Sequence, residues 1–164
     1  MARRTGSTIM DLGPRLWLAA FGKHPGWNDH IDDLGVDTDR LVAVKRAIYT
    51  DGIGGVIDSG GWESLEGARR AEGFDHSFVW RHHEGLVVGR MWSSSDGKGR
   101  QKYPMILAAQ CDAVPFRFAT ERVLPRLRQL EDECRAAESA ATVISLVDAA
   151  RSELRQAAER SPRV

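Results

Sequence analysis

The sequence carries no surplus of charge: 23 Lys and Arg are balanced by 23 Asp and Glu. A sequence-independent nucleic-acid binder needs a concentrated basic footprint, so no nucleic-acid partner is expected. Cysteine is scarce as well, with only Cys111 and Cys134, which form neither a CxxC pair nor a secreted-type framework. They read as reduced thiols, which points to a cytoplasmic location. Long apolar runs are also missing, and nothing approaches the roughly 20 residues of a membrane helix. The start, MARRTGSTIMDLGPRLWLAAF, joins positive charge to apolar residues, yet Asp11 and Pro14 interrupt it and WLAAF is too short for a signal core. No export and no membrane span are expected.

What is present suits one domain of 164 residues, enough to bury a core without disulfides or structural metal. Residues 1–14 are polar and aperiodic and read as a flexible leader, with a single domain over 15–164. RLWLAAFG, Arg15 to Gly22, reads as a buried strand ended by glycine. Asp37, Thr38 or Asp39 can cap a helix to about Tyr49, in which Leu41, Val44, Ala47 and Ile48 recur at helical spacing. The glycine-rich stretch that follows fits either a short helix or an ordered loop; it is read as irregular, with Ile53, Val56, Ile57 and Trp62 facing inward.

HSFVWRHHEGLVVGRMWSSS reads as a hairpin turning near Gly85, and YPMILAAQC, Tyr103 to Cys111, as a third neighbouring strand. The last third is helical. Phe118, Leu124, Leu127, Leu130 and Cys134 share one face, Pro125 kinks or divides that helix, and Val143, Val147, Ala150 and Leu154 form the stripe of another. Strand, helix, three strands and helices in that order predict an α+β fold, an antiparallel sheet with helices packed on it.

Two polar loops hold the candidate chemistry. The first, FGKHPGWNDHIDDLG, crowds His24, His30, Asp29, Asp32 and Asp33, and a His24/Asp29/His30 loop could serve a small metal-assisted hydrolase, with His76 as an optional further participant. The H-E-x-x-H arrangement and paired CxxC ligands are absent, however, and histidines hydrogen-bonded in a turn are the plainer reading. Ser93, Ser94 and Ser95 do not form a G-x-S-x-G elbow. In the second loop, SSDGKGR, Gly97, Gly99, Lys98 and Arg100 could bind a phosphate, although Walker spacing is missing. The favoured reading is a tight connection in which Asp96 bonds backbone amides and glycines take positive φ. Of the five tryptophans, Trp27 is the one expected to be partly exposed toward a partner.

Together the two loops resemble the signatures of the TagF family of type VI secretion accessory proteins. Gly22, Lys23, Pro25 and Asp29 follow its G-K-x-P-x-x-G-D-F pattern, with Asn28 in place of glycine and His30 in place of an aromatic residue. Ser94, Asp96, Gly99, Arg100, Tyr103, Pro104 and Met105 follow S-x-D-x-x-G-R-x-F-P-L with one extra residue after Arg100. The resemblance spans Leu16 to Cys111. It implies an α/β sandwich similar to longin-type domains and a noncatalytic cytoplasmic regulator, repressing the secretion apparatus posttranslationally through a forkhead-associated scaffold protein. No cofactor, metal or catalytic residue is expected. The expected binding residues are Gly22, Lys23, Pro25, Trp27, Asp29, Ser94, Asp96, Gly99, Arg100 and Pro104, with Lys23 and Asp29 meeting Asp96 and Arg100 at one end of the sheet.

Overall fold

A computed structural model describes residues 13–58, 73–82 and 85–163. Four strands, β1 (Arg15–Gly22), β2 (Asp75–His82), β3 (Gly85–Ser93) and β4 (Pro104–Asp112), make one antiparallel sheet in the order β1-β4-β3-β2. β2 to β4 form the expected meander, and β1 pairs along the free side of β4. The fold is α+β. His82 pairs with Gly85 across the expected hairpin, whose turn residues His83 and Glu84 lie outside the described residues, as do residues 1–12 of the expected leader and Trp62.

Successive strand residues face opposite sides, and both faces of this sheet are covered. On one side Leu16, Leu18 and Ala20 of β1, Val88 and Trp92 of β3, and Met105, Leu107 and Ala109 of β4 meet the helices that follow β4. These are α3 (Phe116–Phe118), a π-helical segment (Ala119–Val123), α4 (Leu124–Ala136) and α5 (Ala140–Glu159). Leu127, Leu130 and Cys134 of α4 and Val143, Val147, Ala150 and Leu154 of α5 are buried there, as their spacing predicted. Phe118 and Leu124 are half-buried against the same core. Pro125 falls in the first turn of α4, directly after the π-helical segment, and the helical run continues through it from Phe116 to Ala136, so it does not divide the run. Ser139 caps α5, its side chain accepting from the Thr142 N–H.

On the other side Ala19, Phe21, Val87, Ile106 and Ala108 meet α1 (Asp39–Val44) and the helical turns after it. Thr38 is the cap, accepting from the Leu41 N–H at 3.1 Å. Two sequence expectations fail here. The helix does not keep a 3.6 period: from Lys45 to Gly54 it widens to π geometry, which rotates Ala47 out to solvent and brings Tyr49 into the core. The glycine-rich stretch is helical through α2 (Gly55–Asp58) instead of irregular, with Ile57 buried and Ile53 half-buried but Val56 turned outward.

Candidate functional site

The exits of β1 and β3 and the start of β4 lie at one end of the sheet, fixed by the pairings Gly22 with Met105 and Ser93 with Pro104. Gly22 makes the first turn possible. Its φ is +104°, and a Cβ there would collide with the Pro104 carbonyl oxygen, the same oxygen that accepts from the Lys23 N–H at 3.0 Å. The chain then folds back, with Ile31 N–H donating to the Gly22 carbonyl at 2.7 Å. This sends the residue 23–30 loop across to the residue 94–100 loop.

The two loops meet in a charge network. Lys23 is buried, and its Nζ lies 2.7 Å from Asp29 Oδ1 and 3.0 Å from Asp96 Oδ2. Arg100 closes the other side, its Nε donating to Asp96 Oδ2 at 2.6 Å and its Nη2 lying 3.3 Å from Asp29 Oδ1 and 3.1 Å from the Asn28 carbonyl. The Asp96 side chain is fully enclosed. Burial alone would raise its carboxyl, but the Arg100 amide, the Lys23 ammonium, the Arg100 guanidinium and the Lys98 amide together hold it far below the ordinary carboxylate value. The Lys23 hydrogen bond chiefly lowers Asp29 too, despite its exposure. The network therefore carries two cations and two anions, with Arg100 and Asp29 on its outer surface and Lys23 and Asp96 beneath.

This geometry decides the phosphate reading of SSDGKGR against its alternative. Asp96 N–H donates to the Arg100 carbonyl, Gly97 N–H to the Trp27 carbonyl and Gly99 N–H to the Asp96 carbonyl. Asp96 Oδ1 accepts from the amides of Lys98 and Arg100 at 2.9 and 3.1 Å. Every amide from 96 to 100 is thus engaged, with Asp96 occupying the place an anion would take. Gly99, at φ +80°, supplies the expected left-handed position, and Gly97 does not.

The histidines are dispersed. His24 is buried, with Nε2 donating to the Cys134 carbonyl at the end of α4 at 2.8 Å and Nδ1 accepting from the Gly26 N–H at 2.9 Å. Both ring nitrogens are thereby engaged, and the ring fastens the first loop to α4. His30 Nδ1 faces the Tyr49 hydroxyl at 2.6 Å, and its ring packs edge-on against Tyr49 and Tyr103. Burial, then the nearby Lys23 charge, depresses the His30 pKa from 6.5. His76 Nδ1 accepts from the Asp75 N–H on β2. Among the described residues no three His, Cys, Asp or Glu gather where they could hold a metal ion. The Cys111 and Cys134 thiols are buried and free, and burial pushes both up to about 12, where they are poor nucleophiles.

The remaining expected binding residues border the same corner. Trp27 is half-buried, edge-on to His24 at 5.8 Å between ring centres; Pro25 is exposed; Pro104 opens β4 as a buried residue. Ser94 lines a cleft of about 480 Å³ shared with His24, Pro25, Trp92, Gln101 and Arg135. One buried ionic group went unread in the sequence. Arg90 of β3 donates to Glu131 Oε2 of α4 at 2.7 Å and to Asp75 Oδ1 of β2, with Arg90 and Glu131 both largely enclosed. The available signal was Glu131 itself, four residues after Leu127 on the apolar stripe of α4.

No helix among the described residues is long and apolar enough to cross a membrane. The chain matches no model of a known protein family and no curated protein.

Proposed function

We propose that this chain is a noncatalytic regulator of type VI secretion assembly, similar to TagF proteins, and that it contacts a protein partner through the corner where its two polar loops meet. The observation that carries the reading is the Lys23–Asp29–Asp96–Arg100 network, because the residues matching the two family signatures are the ones bonded to each other across the loops. A second likeness supports it: His30 and Tyr103, which stand at the aromatic positions of those signatures, pack ring to ring at 5.3 Å. The chemistry of the corner also suits recognition better than turnover, since Lys23, Asp29, Asp96 and Arg100 are locked in mutual pairs. Asp29 and Arg100 remain reachable, with side chains 70% and 55% exposed, and the half-buried Trp27 adds an apolar contact beside them.

The test is titration calorimetry of the purified chain against the forkhead-associated scaffold protein of the secretion cluster in the same genome. Saturable binding, weakened by both Asp29→Ala and Arg100→Ala, is expected. Binding indifferent to both substitutions moves the contact off this corner, and no binding at all defeats the assignment.

A further inference from the structure

The two edges of the sheet are finished in opposite ways. The bond from Lys23 N–H to the Pro104 carbonyl sets the ladder phase, so Leu16, Leu18, Ala20 and Gly22 turn their backbone groups away from β4, out over the β1 edge. All four outward carbonyls are occupied. Arg155 Nε donates to Leu16 O, Arg151 Nε and Nη2 donate to Leu18 O, Ala20 exchanges bonds with Leu34, and Ile31 N–H reaches Gly22 O. On the β2 edge, the bond from Ser93 N–H to the Phe74 carbonyl puts Phe78 and Trp80 in the ladder with β3 and turns the backbone groups of Asp75, Ser77, Val79 and Arg81 outward. Beyond the Asp75 N–H, which His76 Nδ1 accepts, these outward groups meet no hydrogen-bond partner among the described residues. A bare edge of this length is a template for another strand.

The side chains along this edge are complementary to themselves. β2 carries an acid at one end, Asp75, and a base near the other, Arg81, on the same face. An antiparallel copy placed about a two-fold axis at Phe78 sets Asp75 opposite Arg81 of the second copy, Ser77 opposite Val79, His76 opposite Trp80, and Phe78 opposite itself. Asp75 stays ionised for this, since its hydrogen bond from Arg90 keeps its carboxyl low, and that bond uses Oδ1 alone. The exposed apolar groups are in place too: Val79 is 48% exposed, and Phe116, 51% exposed, lies under the Arg81 guanidinium at 5.7 Å. We propose that the occupant of the β2 edge is β2 of a second copy of this chain, so that two sheets join into one across a two-fold axis at Phe78.

A single strand pair buries little, so the dimer is weak and concentration-dependent. Sedimentation equilibrium of the full chain over a wide concentration range reads it. Val79→Pro removes one outward N–H per copy and leaves the β2–β3 ladder intact, a place where an edge strand tolerates proline. It should raise the dimer dissociation constant about thirtyfold. Arg81→Glu, which sets like charges opposite each other, should weaken the dimer as well while keeping the monomer folded. Amide hydrogen exchange supplies a second readout: the Ser77, Val79 and Arg81 N–H groups should gain protection as the concentration rises. A monomer at every concentration overturns the proposal, and so does a dimer that survives Val79→Pro and Arg81→Glu unchanged.

Discussion

Replacing Lys23 by Met keeps the length of the side chain and removes the charge that ties the two loops together. Lys23 is only 4% exposed, and its ammonium is the shared partner of Asp29 and Asp96. Removing one member of a buried ion pair costs about 3–5 kcal/mol, because the other charge is left without its partner. Asp96 would still be held by the Arg100 guanidinium and by the amides of Lys98 and Arg100, so the loss falls at the low end of that range. About 3 kcal/mol is expected, which for a chain of this size lowers Tm by about 6–12 °C. Urea unfolding followed by tryptophan fluorescence, with thermal unfolding beside it, measures the change. A loss below about 1 kcal/mol would mean that Lys23 behaves like an ordinary surface pair, and the claim that this network joins the loops would fall.

The pH dependence has two stages. His30 has a folded pKa below its ordinary 6.5, so the unfolded chain binds the proton more readily and stability declines as pH falls through 6.5; His30→Phe should remove that step from a pH series of urea midpoints. Asp29, Asp75 and Asp96 are depressed below 3.8, so their contribution is complete above that value and fades as pH falls through their lower folded values; it should persist in His30→Phe. Glu131→Ala leaves Arg90 enclosed with only the exposed Asp75 and Ser77 beside it, and should cost about 3–5 kcal/mol by chemical denaturation. The paired change Arg90→Met with Glu131→Leu should recover most of that loss, because the charges it leaves without a partner, Asp75 and Arg135, are exposed to solvent; a pair as unstable as Glu131→Ala would refute this account of the buried bridge.

The strands and α5 were legible because their burial follows a simple period. β1 begins and ends where RLWLAAFG does, and Val143, Val147, Ala150 and Leu154 all reach the core. The segment after Val44 was not, since π geometry shifts the inward face by about one residue per turn, and the spacing that marked Ala47 as buried applies only to an α-helix. The meeting of the two loops was foreseeable from opposite charges flanking glycines at two strand exits. The engagement of His24 was not, for its partner is the backbone of Cys134, 110 residues away, and a carbonyl leaves no mark in a sequence. The arginine cover of β1 escaped notice for the same reason.

That cover has a consequence for synthesis. Arg151 and Arg155 follow the carbonyls they satisfy by 133 and 139 residues. At translation rates of about 5–20 residues per second, the Leu16 and Leu18 carbonyls wait roughly 7 to 28 seconds for their guards, whereas Ala20 and Gly22 find theirs in Leu34 and Ile31 soon after. During that interval those two carbonyls are open to other donors. The mature molecule is safest at the flank that is most vulnerable while it is being made.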